Sequence, residues 1–402
     1  MTLHISTAFD SGAIDVISLA DPGDIRLNIR ADNASAFAQW FHFSLQGAVQ
    51  DARGVAVTLR FMNAGQCAFP EGWEGYSVAA SYDRQHWFRI DTSYDGQVMT
   101  ARFTPASDVV YFAYFEPYSQ ERHLDFIAAV ADTASSAAHG AAQVEVEQLG
   151  LTTEGRNMTL LRITGPDGIT PTDQRKNQQM NQRTKVWLIA RQHPGETMAE
   201  WFAQGFVERL LDPACPVAKA LLAQCVFYVV PSMNPDGAAR GNLRTNATGA
   251  NLNREWSAPS MEKSPEVFLV RQKMLQVGVD LSLDAHGDEA LPHNFVAGTE
   301  GTPGYSPRIE GLESTFKSAW QATCPDFQTA HGYGQTAPGA ANMTLATNWI
   351  GQNFNCLAFT IEMPFKDNDD LPDDVTGWNG LRSSRLGASV LLPILAVRPH
   401  LR

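Results

Sequence analysis

The sequence predicts a mixed α/β protein: an N-terminal antiparallel β-sandwich over residues 1–117, followed by a doubly wound α/β/α layer over residues 118–402. Three observations support this. Short alternating runs recur about every ten residues in the first part, the signal of a sandwich or barrel. Beyond residue 118, compact apolar runs alternate with helical periodicity, the signal of a sheet covered on both faces. A length of 402 residues, 44% hydrophobic and 18% charged, supplies core for two domains.

The sandwich strands are read from GVAVTLRFM (54–62), YSVAASY (76–82), VMTARFT (98–104) and VVYFAYF (109–115), separated by turn clusters such as SYDRQ and SYDG. This part has many aromatics and no His, Cys or carboxylate cluster at ligand spacing, so it reads as a scaffold or binding domain. In the second part MTLLRIT (158–164), KVWLIA (185–190), CVFYVVP (225–231), VDLSLDA (279–285) and CLAFTIE (356–362) read as buried strands. AEWFAQGFVERLL (199–211), PEVFLVRQKMLQVG (265–278) and GLRSSRLGASVLLPIL (380–395) supply helices between and after them. The polar, turn-rich stretch 163–184 reads as an exposed connection.

A net charge of −13 argues against a nucleic-acid binder, which needs a basic footprint. An acidic substrate would need a local basic pocket. The N-terminus has no basic segment leading into an apolar one, and no stretch reads as the roughly 18 apolar residues of a membrane span. Five scattered cysteines, never in CxxC spacing, read as small buried hydrophobes in a reducing compartment, with the cytoplasm as the expected location.

Functional groups of an open α/β sheet gather at the carboxyl ends of its strands. KVWLIA runs into His193 and Glu196, VDLSLDA into His286, and CLAFTI into Glu362. CVFYVVP runs into Asn234-Pro-Asp-Gly and then Arg244, Asn253 and Arg254. Two imidazoles and a carboxylate form the zinc ligand set that leaves a fourth position open, and Glu362 is placed to act as a base. Each piece alone has a plainer reading. HPGE is a turn with a helix-starting acid, NPDG is a turn, and His286 is a strand-end histidine. The ordered combination carries the inference.

That combination resembles the zinc carboxypeptidase family: HPGE (193–196), NPDG (234–237), NLNREW (251–256), LDAHGDE (283–289) and FTIEMPF (359–365) each match one of its motifs. GNLRTNATGANLNREW (241–256), FDSGAIDV (9–16), QWFHFSL (39–45) and VYFAYFEPYSQERH (110–123) resemble the cytosolic carboxypeptidase branch, in a bacterial-type form with an N-terminal β-sandwich. The resemblance implies one zinc ion held by His193, Glu196 and His286 and a zinc-bound water as nucleophile. It further implies Glu362 as general base, Arg244 polarising the scissile carbonyl, and Asn253 with Arg254 gripping the substrate's terminal carboxylate. The implied substrate is the C-terminal tail of a peptide or protein.

Two departures stand out. Asn251 occupies a position where the family often has an aspartate. The glutamate-trimming branch tends to place an arginine upstream of the catalytic strand to receive an acidic side chain; residues 332–361 contain no Arg or Lys, so a preference for C-terminal glutamate is not implied unless Arg240 or another distant base serves. Tyr333, the only tyrosine between Tyr305 and Glu362, is the candidate substrate-capping tyrosine. Alternative readings are a zinc amidase or deacylase acting on N-acyl amino acids or γ-glutamyl compounds, and a non-catalytic peptide-binding module.

Overall fold

The computed structural model describes residues 3–50, 53–135, 142–165 and 183–401. In the first 113 residues two five-stranded sheets pack face to face. One runs His4–Ser6, His42–Gln46, Val109–Ala113, Ala79–Ser81, Trp87–Arg89; the other runs Asp91–Tyr94, Met99–Phe103, Val57–Phe61, Ile25–Asn28, Asp15–Ser18. Alternation sets the packing: in Val57–Phe61 the first, third and fifth residues are buried. Phe43 of one sheet meets Phe61 of the other at 6.4 Å between ring centroids. One pair departs from the antiparallel expectation, because Ile25–Asn28 runs parallel to Val57–Phe61. The chain between them crosses to the other sheet to form His42–Gln46, and that long crossover is what a parallel pair requires.

The second part is a seven-stranded sheet with four parallel strands at its centre. Their order is Cys225–Val230, Thr184–Ala190, Leu281–Ala285, Leu357–Glu362. All six residues of Cys225–Val230 and all five of Leu281–Ala285 are buried, as continuous apolar runs between helical layers predict. Antiparallel strands Gln143–Leu151 and Asn157–Thr164 extend one edge and Phe295–Ala297 the other. Gln143–Leu151 escapes sequence reading because its alternation VEVEQLG is largely polar, and Phe295–Ala297 because it has only three residues. Most of the expected 163–184 connection lies outside the described residues. From Thr184–Ala190 the chain moves to a strand on one side and then returns to Leu281–Ala285 on the other. The crevice at the carboxyl ends of these two strands is therefore a topological switch point, where such sheets bind ligands.

The helices Met198–Leu211 and Gly380–Ser389 cross in near backbone contact. A Cβ at Gly205 would lie 1.9 Å from the Ser384 carbonyl oxygen, and one at Gly387 would lie 2.0 Å from that of Phe202. The helical run Gly380–His400 is long and apolar enough to cross a membrane by length and composition, which the sequence reading did not anticipate. Half of it is buried inside the fold. We predict that Gly205→Ala destabilises the protein by about 2 kcal/mol or more, the cost of overpacking against backbone. Chemical denaturation measures this, and a midpoint equal to wild type would show that the helices do not approach this closely.

Candidate metal centre and active site

At the end of Thr184–Ala190 the chain reverses sharply. Arg191 takes a left-handed conformation at φ 60°, and its buried guanidinium donates to the carbonyls of Tyr118 and Pro194 and to Glu200. Pro194 and Gly195 then bring His193 and Glu196 to one side. Gly195 donates its N–H to the Leu243 carbonyl at 2.8 Å, and a Cβ there would lie 3.0 Å from the Leu243 Cα. Glu196 precedes the helix Met198–Leu211 by two residues, so HPGE is a turn leading into a helix, although the acid of the helix's first turn is Glu200.

His286 follows Leu281–Ala285 and extends the ladder by donating its N–H to the Ile361 carbonyl. The two histidines, 93 residues apart in sequence, meet through their Nδ1 atoms at 3.2 Å. Glu196 lies between them, with Oε1 2.6 Å from His193 Nδ1 and Oε2 2.7 Å from His286 Nδ1. The other ring nitrogens are held from behind. His193 Nε2 lies 3.1 Å from Asn251 Oδ1, and His286 Nε2 lies 2.9 Å from Asp284 Oδ2. With a cation bound, each acceptor would take the ring's one N–H and leave the Nδ1 lone pair free to ligate. Gln192, itself held by Trp256 Nε1, donates a further hydrogen bond to Asp284 at 2.7 Å.

Burial, and then the nearby Arg244 charge, hold His193 down at about 4, so its imidazole is neutral and able to ligate. For His286 burial works downward, but the carboxylates of Asp284 and Glu196 outweigh it and hold the ring well above its ordinary value. Burial also opposes ionisation of Glu196, yet the two histidines hold it well below the usual carboxylate range. Three buried donors within 4.8 Å of one another, with both outer ring nitrogens engaged, fit a small divalent cation.

Glu362 ends the strand Leu357–Glu362 and lines the same cavity, which has a volume of about 670 Å³. Burial pushes its carboxyl well above the ordinary range, and Oε2 has no protein partner. Tyr333 is 53% exposed, but its hydroxyl reaches inward to Asp288 Oδ2 at 2.7 Å and Glu362 Oε1 at 3.0 Å. Arg244, Asn253 and Arg254 line the cavity as well. Asn253 Oδ1 accepts from the Ala346 N–H, and its Nδ2 approaches His286 Nε2 at 3.4 Å. Arg254 donates to the Asn253 carbonyl, and the Arg244 guanidinium rests against the rings of Phe37 and Phe69. Among the described residues neither guanidinium forms an ion pair with a carboxylate.

The eight residues expected to act as metal ligands, base, carbonyl-polarising arginine, carboxylate clamp and capping tyrosine thus border one cavity. Arg240 does not: it pairs with Glu154 at the surface. The cavity's additional cation is Lys317, from the helix Pro307–Thr323, which pairs with Glu300 at 3.4 Å and Glu313 at 3.5 Å. Asp284, Gln192, Asp288 and Glu289 also went unnoticed. Asp284 had a usable signal, since an acid two residues before a strand-end histidine shares its face. Gln192 and Lys317 had none. Glu289 is pushed up to about 8, first by burial and then by the Glu196 charge.

A buried His–Glu–His cluster at the switch point of such a sheet, with a further buried carboxyl beside it, is the arrangement of a metal-dependent hydrolase. Residues 131–377 match the zinc carboxypeptidase family, and residues 5–115 match the cytosolic carboxypeptidase N-terminal domain. The chain belongs to the zinc carboxypeptidase family and is a peptidase of metallocarboxypeptidase type. It is similar to a metallo-carboxypeptidase from Burkholderia cenocepacia, with 49% identity, a TM-score of 0.90 and 98% of both chains covered. It is also similar to a metallo-carboxypeptidase from Pseudomonas aeruginosa solved in complex with (2-guanidinoethylmercapto)succinic acid. There the identity is 46% and the TM-score 0.90, covering 99% of this chain and 100% of the other. Cytosolic carboxypeptidase 1 of Mus musculus is 28% identical over 302 residues, 66% of this chain and 24% of the mouse protein's length.

Removing the carboxylate behind His286 tests the support of the centre. We predict that Asp284→Asn weakens zinc binding about 10- to 100-fold, the usual consequence of losing such a partner. Competition with a chromophoric chelator reads this directly, and unchanged affinity would assign Asp284 a purely structural role.

Proposed function

We propose that this protein removes C-terminal residues from peptides or protein tails, with one zinc ion per chain held by His193, Glu196 and His286. The observation that carries this reading is the pair of guanidiniums, Arg244 and Arg254, lining the same cavity as the His–Glu–His cluster and, among the described residues, in no ion pair with a carboxylate. In a chain of net charge −13, two unmatched cations beside a hydrolytic centre suit an anionic substrate group. A free C-terminal carboxylate is such a group, and its capture makes a peptidase an exopeptidase.

A zinc ion in this centre would supply a Lewis acid that eases deprotonation of the attacking water. The chain's own residues divide the remaining work. Glu362 accepts the proton of the attacking water and passes it to the leaving amine nitrogen. Its Oε2, free of protein partners, is available for both transfers. Arg244 stabilises the negative charge that develops on the carbonyl oxygen. Asn253 and Arg254 grip the terminal carboxylate, for which a guanidinium offers two parallel hydrogen bonds. Tyr333 caps the substrate with the hydroxyl that lies against Glu362. Lys317 is already matched by Glu300 and Glu313, so an acidic side chain finds no unmatched cation at that end of the cavity, and strong glutamate preference is not expected.

The Pseudomonas relative's ligand is a succinic acid derivative, whose carboxylates suit a guanidinium clamp of this kind. The likeness of residues 5–115 to cytosolic carboxypeptidases and the five buried cysteines, none of them in a disulfide, support the cytoplasm as its compartment.

Paired peptides that differ only in a free or amidated C-terminus, assayed with and without chelator, test the proposal. Only the free acid is expected to be hydrolysed, and chelation is expected to abolish turnover. Equal cleavage of the amide would defeat the exopeptidase reading. Glu362→Gln is predicted to lower kcat by about 10²- to 10⁴-fold with zinc content unchanged. Wild-type turnover in that variant would remove Glu362 from the mechanism.

A further inference from the structure

The loop that carries Arg244 is held from outside its own sheet. The buried carboxylate of Asp32, in the N-terminal module, receives four hydrogen bonds from this loop. Leu243 N–H donates to Oδ1 at 2.6 Å; Arg244 N–H, Thr245 N–H and the Thr245 hydroxyl donate to Oδ2 at 2.8, 2.9 and 3.0 Å. Asn33 continues the strap, accepting from Asn242 Nδ2 at 2.7 Å and donating to the Ala247 carbonyl at 2.7 Å. Beyond the backbone, the Arg244 guanidinium lies 5.6 Å from the ring centroid of Phe37 and 5.2 Å from that of Phe69. Both rings belong to the N-terminal module. On its far side the same loop accepts the Gly195 N–H through the Leu243 carbonyl, which ties it to the turn bearing His193 and Glu196.

We propose that Asp32 is a positioning residue for the reaction: its carboxylate sets the backbone of residues 243–245 and so aims the Arg244 guanidinium, steadied by Phe37 and Phe69, at the scissile carbonyl. The proposal rests on the role given to Arg244 above. The chemistry favours a carboxylate at this place. Three backbone N–H groups and a hydroxyl converge on two oxygens, and only an ionised carboxyl accepts on both. An asparagine of the same shape would turn an NH2 towards one or more of these donors, leaving buried N–H groups without acceptors. A loop released in this way keeps its arginine but loses the arginine's aim, and a misplacement of about 1 Å near a reacting centre costs on the order of 10²-fold in rate.

The test is a cycle on the full zinc-loaded chain with Asp32→Asn, Arg244→Gln and the double variant. Melting temperature, zinc content, kcat and KM are read for each. Arg244→Gln is expected to lower kcat by about 10²- to 10³-fold, the usual cost of losing one donor to developing oxyanion charge. Asp32→Asn is expected to lower kcat at least tenfold, with zinc content unchanged and KM within about threefold of wild type. The double variant is expected to be no worse than Arg244→Gln, because an arginine's contribution cannot be lost twice. Wild-type kcat in Arg244→Gln would remove the arginine's role, and this proposal with it. A normal Arg244→Gln defect with wild-type kcat in Asp32→Asn, or with losses that multiply in the double variant, would overturn the positioning role alone. Should Asp32→Asn fail to melt cooperatively, Phe37→Leu with Phe69→Leu takes its place in the cycle. Unchanged kcat there would equally overturn the proposal.

Discussion

Glu196 is buried between two imidazoles, and much of the local structure serves to keep that carboxylate ionised. A carboxylate removed from water without compensation costs several kcal/mol, so it persists only where partners are fixed in place. His193 and His286 supply that compensation at 2.6 and 2.7 Å. They can do so because the parallel pairing of Thr184–Ala190 with Leu281–Ala285 ends both strands at the same edge. The left-handed turn at Arg191 and the close passage of Gly195 over Leu243 then rotate the first histidine towards the second. A geometry that satisfies a buried carboxylate in this way also presents donors to a cation.

The two histidines are supported unequally. Asp284 stands behind His286, and the neutral Asn251 behind His193. An ionised partner raises the basicity of its imidazole more than an amide does, so the two rings differ as ligands even though both present Nδ1. The asymmetry matches the opposite directions in which burial and charge move the two rings, downward for His193 and upward for His286.

The N-terminal module is bound to this chemistry more closely than a scaffold need be. Arg89 reaches from its sheet edge to the carbonyl of Phe365, close behind Glu362 in sequence, and to that of Trp378. Glu116 accepts the Gly380 N–H at the start of the C-terminal helical run, and its carbonyl accepts the Thr197 hydroxyl beside Glu196. Together with the strap at Asp32, these contacts make the walls of the active cavity a joint product of both parts of the chain. Reading residues 1–117 as a scaffold or binding domain missed one thing they contribute, which is placement.

The sequence by itself determined the sheet and the order of chemistry along it. Continuous apolar runs marked the buried parallel strands, because burial on both faces erases alternation. The residues that follow those runs named His193, Glu196, His286 and Glu362, because chain direction alone sends the carboxyl ends of parallel strands to one edge. Only the tertiary structure decided which residues stand behind them. Lys317 rather than Arg240 reaches the cavity, Tyr333 proves to sit against Glu362, and Asp32 holds a loop more than 200 residues away. Periodicity and motif spacing are local properties of the chain, whereas these roles depend on which surfaces meet once the two parts of the molecule pack, and no local pattern encodes that.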